Sequence, residues 1–435
     1  MKKSCSVLVP ALLLSSMTVA HAEEPTDDDT IGTTPAASPA PADAPASADA
    51  PMVEREDDDA FATEQPARGD RLVIASDPPT DWAVLHAGFR PHLGTFGGIA
   101  TFALAHERIE RFYGLFSLSA IRNDAGTHVG ALQLAIGRNL ADEHIGLAQV
   151  GLAENRARSF IGLGQLTVAY NRSIDMVGLF QIGGYNRAKR KVGLLQLGGY
   201  NRVDAAFVGV TQLGGYNHAY GDFSGLFQLG LLNGQGRELF DDDDDDERFG
   251  GVAQIGAVNS STRFVGLMQL GGGSYAGDFA GGLQIGGLAA GAETFRGLAQ
   301  VGALALSEKS YGAQIGAGAL AFDEHHGLQL GVALNLTDEL TGMQLGAANL
   351  AEHATGVQLG AANIVEDVAG AQLGLVNVAD EVEGVQVGLY NHAGSLRGLQ
   401  IGLVNHAQDG VLQWSALLNM GFGDEGDGYE SYASR

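Results

Sequence analysis

Gly384-Val385-Gln386-Val387-Gly388-Leu389-Tyr390-Asn391 is followed, fourteen residues on, by Gly398-Leu399-Gln400-Ile401-Gly402-Leu403-Val404-Asn405. In the first stretch Val385, Val387 and Leu389 alternate with Gly384, Gln386 and Gly388, a period of two that marks a strand. Helix is disfavoured, because each of the several glycines in a unit would destabilise it by about 1 kcal/mol relative to alanine. The link between the two stretches, His392-Ala393-Gly394-Ser395, is short, polar and glycine-tolerant, as a turn should be. The alternation predicts that columns of Leu, Ile and Val form the core.

Aligned on its glutamine, the unit recurs from Gln133 to Gln413 in nineteen copies, spaced 16 or 15 residues apart early and mostly 14 late. Leu, Ile or Val follows the glutamine in eighteen of them, and Trp414 in the last. Glycine comes second after it in sixteen, and an Asn follows at five or six positions in fifteen. Ser117 and Thr101 continue the column backwards as two degenerate opening units. One wider gap, between Gln228 and Gln254, holds the run Asp241 to Asp246.

Two architectures suit a strand-plus-turn unit. In a β-solenoid each unit is one coil, and equivalent residues stack at about 4.8 Å with Gln and Asn in hydrogen-bonded ladders. In an up-and-down outer-membrane barrel each unit is one strand, and equivalent residues alternate between the two ends. The identical residue types in every unit and the glycines beside each glutamine favour the solenoid. Aromatics such as Phe207 and Tyr216, read as girdles, favour the barrel. The expected fold is therefore an all-β solenoid of about twenty 14–16-residue coils, about 100 Å long at one coil per unit, with the barrel as the alternative.

Units such as Gly398 to Asn405 resemble the GLQIGLVN repeats of a bacterial surface-repeat protein family, over residues 98–420. The resemblance implies a surface or envelope location and carries no assigned activity and no functional residues. Val385-Gln386-Val387-Gly388-Leu389-Tyr390-Asn391-His392-Ala393 is also similar, more weakly, to the 14-residue coils of trimeric autotransporter heads, whose coiled-coil stalk and membrane anchor are missing here.

Outside the array, residues 1–22 have the three parts of a secretory signal: Lys2 and Lys3, the apolar run Val7 to Leu14, and Ala20-His21-Ala22 as cleavage site. Residues 23–69 are rich in Ala, Pro, Asp and Glu, too polar to bury a core, and read as a disordered linker. A lead-in or cap is expected at 70–97, a poly-Asp loop at 240–248 and a flexible tail at 421–435. The only cysteine, Cys5, lies in the signal, so the exported chain has no thiol for a disulfide, a Cys-ligated zinc or a nucleophile. A formal charge of −26 disfavours nucleic acid and anionic membrane surfaces as general partners.

Arg156, Arg172, Arg187, Arg202 and His218 each follow the repeat Asn in successive units, and Lys189, Arg190 and Lys191 widen the group. In a solenoid they form a basic stripe on an acidic protein, suited to an anionic polymer such as envelope polysaccharide. The plainer account is a solvated turn column whose charges pair with Asp175, Asp204 and Glu154. The poly-Asp run lacks the spaced ligands and turn glycine of a calcium loop. His325-His326 lacks metal-ligand spacing, and His353, His392 and His406 read as turn residues. Asp338-Glu339, Glu366-Asp367 and Asp380-Glu381 recur at one turn, whereas catalysis requires a single unlike pair with separated pKa values. No nucleophile elbow and no phosphate loop is present. The expectation is an exported, non-enzymatic scaffold or adhesin of the cell surface, outer membrane or periplasm, without cofactor or metal, whose partner is an envelope glycan or another surface protein. An outer-membrane pore is the alternative, and a carbohydrate-active β-helix enzyme a remoter one.

Overall fold

The computed structural model describes residues 80–236 and 247–422. The leader, the linker, the run Asp241 to Asp246 and the tail beyond Phe422 lie outside the described residues. Among those residues every regular element is a strand. Each coil pairs in parallel with the coil before it, like residue on like residue: Gln181 on Gln196, Asn186 on Asn201, Arg187 on Arg202. Parallel pairing at one-unit offset makes a β-solenoid and excludes the up-and-down barrel, whose neighbours run antiparallel. Phe207 and Tyr216 belong to no girdle: Phe207 is buried, and Tyr216 stacks on Tyr200 at 4.6 Å.

The inside of the coil is the reverse of what the alternation predicts. Gln386 and Asn391 are fully buried, as are the glutamines from Gln133 to Gln400, while Leu389 is 52% exposed. Polar side chains can fill this interior because each is satisfied by its own copy one coil away. Nε2 of Gln149 donates to Oε1 of Gln133 at 2.8 Å. The same bond repeats through the array to Gln400 on Gln386 at 2.8 Å. A second N–H goes to a backbone carbonyl, as from Gln400 to His406 at 3.1 Å. The asparagines form a second ladder from Asn139 to Asn259 and again from Asn335 to Asn405. Its polarity is opposite: Nδ2 of Asn186 donates forward to Oδ1 of Asn201, whereas Nε2 of Gln196 donates backward to Gln181. Two amide stacks of opposite dipole sense thus run side by side, which limits any net field along the array.

A third inward column lies five residues before each early glutamine. It runs Phe96, Phe112, His128, His144, Phe160, Met176, Lys191, Phe207, Phe223, Phe249, Phe264, Phe279 and Phe295, all buried. Its rings stack at 4.6 to 5.5 Å, as in Phe207 on Phe223 at 4.8 Å. From Ser310 onward the column becomes Ser310, His325, Leu340, Ala354, Val368, Val382 and Leu396, four residues before the glutamine. The missing residue comes from one corner. Early coils turn there on Gly-Leu, as at Gly193-Leu194, and late coils turn on one glycine in the left-handed region, such as Gly384 at φ +143°. A Cβ there would be strained by φ and would overlap the carbonyl oxygen of Gly370. Wide coils with a two-residue corner hold phenylalanine, and tighter coils hold the smaller side chains.

Gln413 does not extend the glutamine column. The chain reverses after Ala407, and the strand Trp414–Phe422 pairs antiparallel with the last coil. Asn419 stands opposite Gln400 and offers its Nδ2 to Oε1 of Gln400 at 3.4 Å, closing the last acceptor of the ladder.

Candidate functional site

The most chemically distinctive face lies over residues 154–220. Within Tyr185-Asn186-Arg187 the asparagine points inward, so the tyrosine and arginine flank it on the outer side. Stacking then builds two adjacent outward columns. Tyr185, Tyr200 and Tyr216 lie ring on ring at 4.8 and 4.6 Å, with Tyr170 tilted against Tyr185 at 5.7 Å. Arg156 pairs in register with Arg172, and Arg187 with Arg202 and then His218.

The cations of this column are held rather than loose. Asp204 accepts from Nε of Arg187 at 2.9 Å and from Nε of Arg202 at 2.6 Å. Arg202 also lies over the Tyr220 ring at 4.4 Å. Burial opposes its charge, but Asp204 overrides this and raises the guanidinium above its ordinary value. Nε of Arg172 is buried without a hydrogen-bond partner, and its guanidinium lies 5.7 Å from the Tyr170 ring. Burial pulls His218 down to about 4, so it is neutral, with Nε2 against the Gly236 carbonyl at 3.0 Å. Because the tyrosine rings cover one another's faces, the strip presents ring edges, hydroxyls and guanidinium edges. That inventory suits hydrogen bonding to anionic or polyhydroxylated groups better than stacking on flat ones.

The predicted stripe is therefore narrower than the sequence suggested. Arg156, Arg172, Arg187 and Arg202 form one column. Arg190 is in register with Ala206, not with an arginine, and pairs with Asp175 at 2.7 Å. Lys189 sits beside it, past the Arg187 column. Lys191 is no part of any surface: it is fully buried in the inward column between Met176 and Phe207. Its Nζ reaches only the Gly178 carbonyl at 3.4 Å, and burial lowers it to about 8. The charge-run reading failed because two exposed residues, Lys189 and Arg190, fall between the buried Ala188 and Lys191, so the last cation of the run turns inward.

This misplaced cation makes a measurable prediction. Lys191→Met, matching Met176 one coil away, is expected to stabilise the protein by about 2 kcal/mol at pH 7, since a buried unpaired charge is replaced by a side chain of similar length. The folded pKa lies below the ordinary lysine value, so the native state loses stability as pH falls from about 10.5 toward 8. The gain should be full at pH 7 and shrink toward pH 10.5. Urea titrations at the two pH values decide it, and an equal or negative change at pH 7 counts against the placement.

Elsewhere the structure pairs what the sequence scattered. His353 meets Asp367 at 2.8 Å, and His392 and His406 face each other through Nδ1 at 2.8 Å. Asp338 is raised by burial and then by Glu352, Asp323 and Glu339, as expected for a stacked acidic column. Among the described residues no group of three or more His, Cys, Asp or Glu is arranged to hold a metal ion. His128, His144 and His325 lie inside the core, which the sequence reading missed. The signal available was the phenylalanine recurring five places before the glutamine, which marks that column as inward. Comparison of the chain with models of known protein families, with curated proteins and with solved structures finds no match.

Proposed function

We propose that this chain is an exported, non-enzymatic scaffold of the bacterial cell envelope or surface, and that the Arg156–Arg172–Arg187–Arg202 column with its tyrosines is the face that engages an anionic polymer. The observation that carries the reading is the unbroken glutamine ladder. It fixes every coil to its neighbour, so that any outward residue recurs at a constant spacing of about 4.8 Å. A rigid, evenly spaced row of guanidinium groups suits a repeating partner such as an acidic polysaccharide better than a small substrate. One carboxylate, Asp204, serves both Arg187 and Arg202, so the strip concentrates guanidinium groups on a chain of formal charge −26. The recurrence of paired acids at one late turn, Asp338-Glu339, Glu366-Asp367 and Asp380-Glu381, supports the non-catalytic reading, since catalysis requires a single unlike pair.

Arg156→Glu combined with Arg172→Glu leaves the Asp204 clamp intact and reverses two charges. The variant is expected to lose retention on a sulfated-polysaccharide column at 50 mM salt, where the parent chain is retained and elutes at higher salt. Equal elution of the two, or a parent that is not retained, overturns the anionic-polymer reading.

A further inference from the structure

The two-residue corner of the early coils builds a surface that folding alone does not call for. Its second residue stacks coil upon coil from Val84 to Leu298, through Leu163, Leu179, Leu194 and Leu226. Of the fourteen positions in this column twelve are Leu, Ile or Val, the others being Ala131 and Gly282. Exposure runs from 38% at Leu179 to 75% at Leu298, with Val210 and Val252 half-buried. Two residues earlier a parallel column adds Ile145, Ile161, Val177, Val192 and Val208, each 45 to 48% exposed. A corner side chain that points into water could be polar at no loss to packing, and late coils turn the same corner with no side chain at all. The corner column stops at Leu298, after which the corner is Gly312, Gly327 and onward; the flanking column is aliphatic from Ile145 to Val208 and then passes through Ser224, Gly250 and Val265 to Arg296.

We infer that this aliphatic ridge is a self-association face, on which two copies of the chain pack ridge against ridge about a two-fold axis. Size supports a second copy as the occupant. Fourteen positions at about 4.8 Å give a strip about 60 Å long. At roughly 10 to 12 Å wide, it buries about 1,200 to 1,500 Å² over both partners, within the range of stable protein interfaces. Spacing supports it too: equal periods on both copies let each leucine seat between two of its partner's, and a two-fold contact needs one self-complementary patch. Charge is the third support. Two acids beside the ridge are neutralised locally, Asp175 by Arg190 at 2.7 Å and Asp278 by Arg263 at 3.5 Å and Arg296 at 3.9 Å. Around those coils two acidic chains can meet without the Asp175 or Asp278 carboxylates facing each other unpaired. A lipid surface fits less well, because the strip is only two side chains wide on a chain of formal charge −26.

The test is sedimentation velocity on the full chain from 1 to 50 µM, beside the triple variant Leu179→Glu, Leu194→Glu, Leu226→Glu. A second triple variant, Leu375→Glu, Leu389→Glu, Leu403→Glu, places the same charges on exposed positions off the ridge. The parent and the off-ridge variant are expected to sediment as dimers, and the ridge variant as a monomer with its dissociation constant raised at least 100-fold. Should the ridge variant fail to fold, single Leu179→Cys, Leu194→Cys and Leu226→Cys chains serve instead: a two-fold interface must cross-link to itself at the position nearest its axis. A monomeric parent, a ridge variant that dimerises as the parent does, or no cross-link at any of the three overturns the inference. A monomeric parent that floats with phosphatidylcholine vesicles overturns it in favour of a lipid face.

Discussion

Gln284→Leu is expected to destabilise the array by about 3 kcal/mol, although the substitution adds apolar volume to a fully buried position. Gln284 donates to Oε1 of Gln269 at 3.0 Å and to the Gly291 carbonyl at 2.8 Å, and its own Oε1 accepts from Gln300 at 2.9 Å. Leucine removes all three bonds at once. Gln300 keeps a second partner in the Leu306 carbonyl at 3.1 Å, but Oε1 of Gln269 and the Gly291 carbonyl lose their side-chain donor inside the coil. Each buried group left unsatisfied costs about 1 to 3 kcal/mol, and the added hydrophobic burial returns about 1 to 2 kcal/mol. The loss should spread beyond the site, because amides in a chain polarise one another and the array is stabilised only by neighbours. Leu288→Ala in the same coil removes an aliphatic that is 73% exposed and should change stability by less than about 0.5 kcal/mol. Urea unfolding with hydrogen exchange reads both variants. The ladder would lose its claimed role if Gln284→Leu matched Leu288→Ala, or if protection fell only in the coil carrying the change.

The contrast between those two side chains shows what the sequence did and did not disclose. The period, the coil boundaries and the in-register stacking of Gln on Gln and Asn on Asn were legible, because each follows from a spacing that any alignment of the units exposes. The direction of the side chains was not. Val387 and Leu389 carry the hydrophobic signal of the strand, so alternation alone assigns them to the core. That rule assumes a buried amide has no partner. A repeat supplies one in every neighbouring coil, and the assignment reverses: Gln386 and Asn391 go in, and Leu389 goes out. The same reversal moved Lys191 from a surface stripe to the core and left the outward leucines without a role in folding. The antiparallel turn that sets Asn419 on Gln400 was hidden because Gln413 falls near the expected spacing without occupying the column. For the arginine column the register was legible, but not that Asp204 serves two guanidinium groups.

Acid should open the array first around His128 and His144. These rings stand in the phenylalanine column, stacked 4.6 Å apart between Phe112 and Phe160, and none of their four ring nitrogens has a hydrogen-bond partner. Burial holds His128 down to about 4 and His144, with His128 beside it, to about 3. Both folded values lie below the ordinary 6.5, so the unfolded chain takes up protons that the native state refuses. Their stabilising effect is therefore complete above about pH 6.5 and is lost as pH falls toward 4 and then 3. At pH 5 the loss is about 2 kcal/mol for each ring, or about 4 kcal/mol for the pair, from 1.4 kcal/mol per pH unit of differential protonation. His325, also buried and held to about 4, adds a smaller share in a distant coil. Replacing both rings, His128→Phe with His144→Phe, extends the run of phenylalanines already on either side and removes the protonation. The double variant should match or exceed the parent at pH 7 and keep about 4 kcal/mol more of its stability at pH 5. Carboxylates lost to protonation weaken parent and variant alike, so the difference between the two pH profiles isolates the rings. If the profiles run parallel from pH 7 to pH 4, the histidines are not buried as neutral members of the column, and the inward assignment of that whole position fails with them.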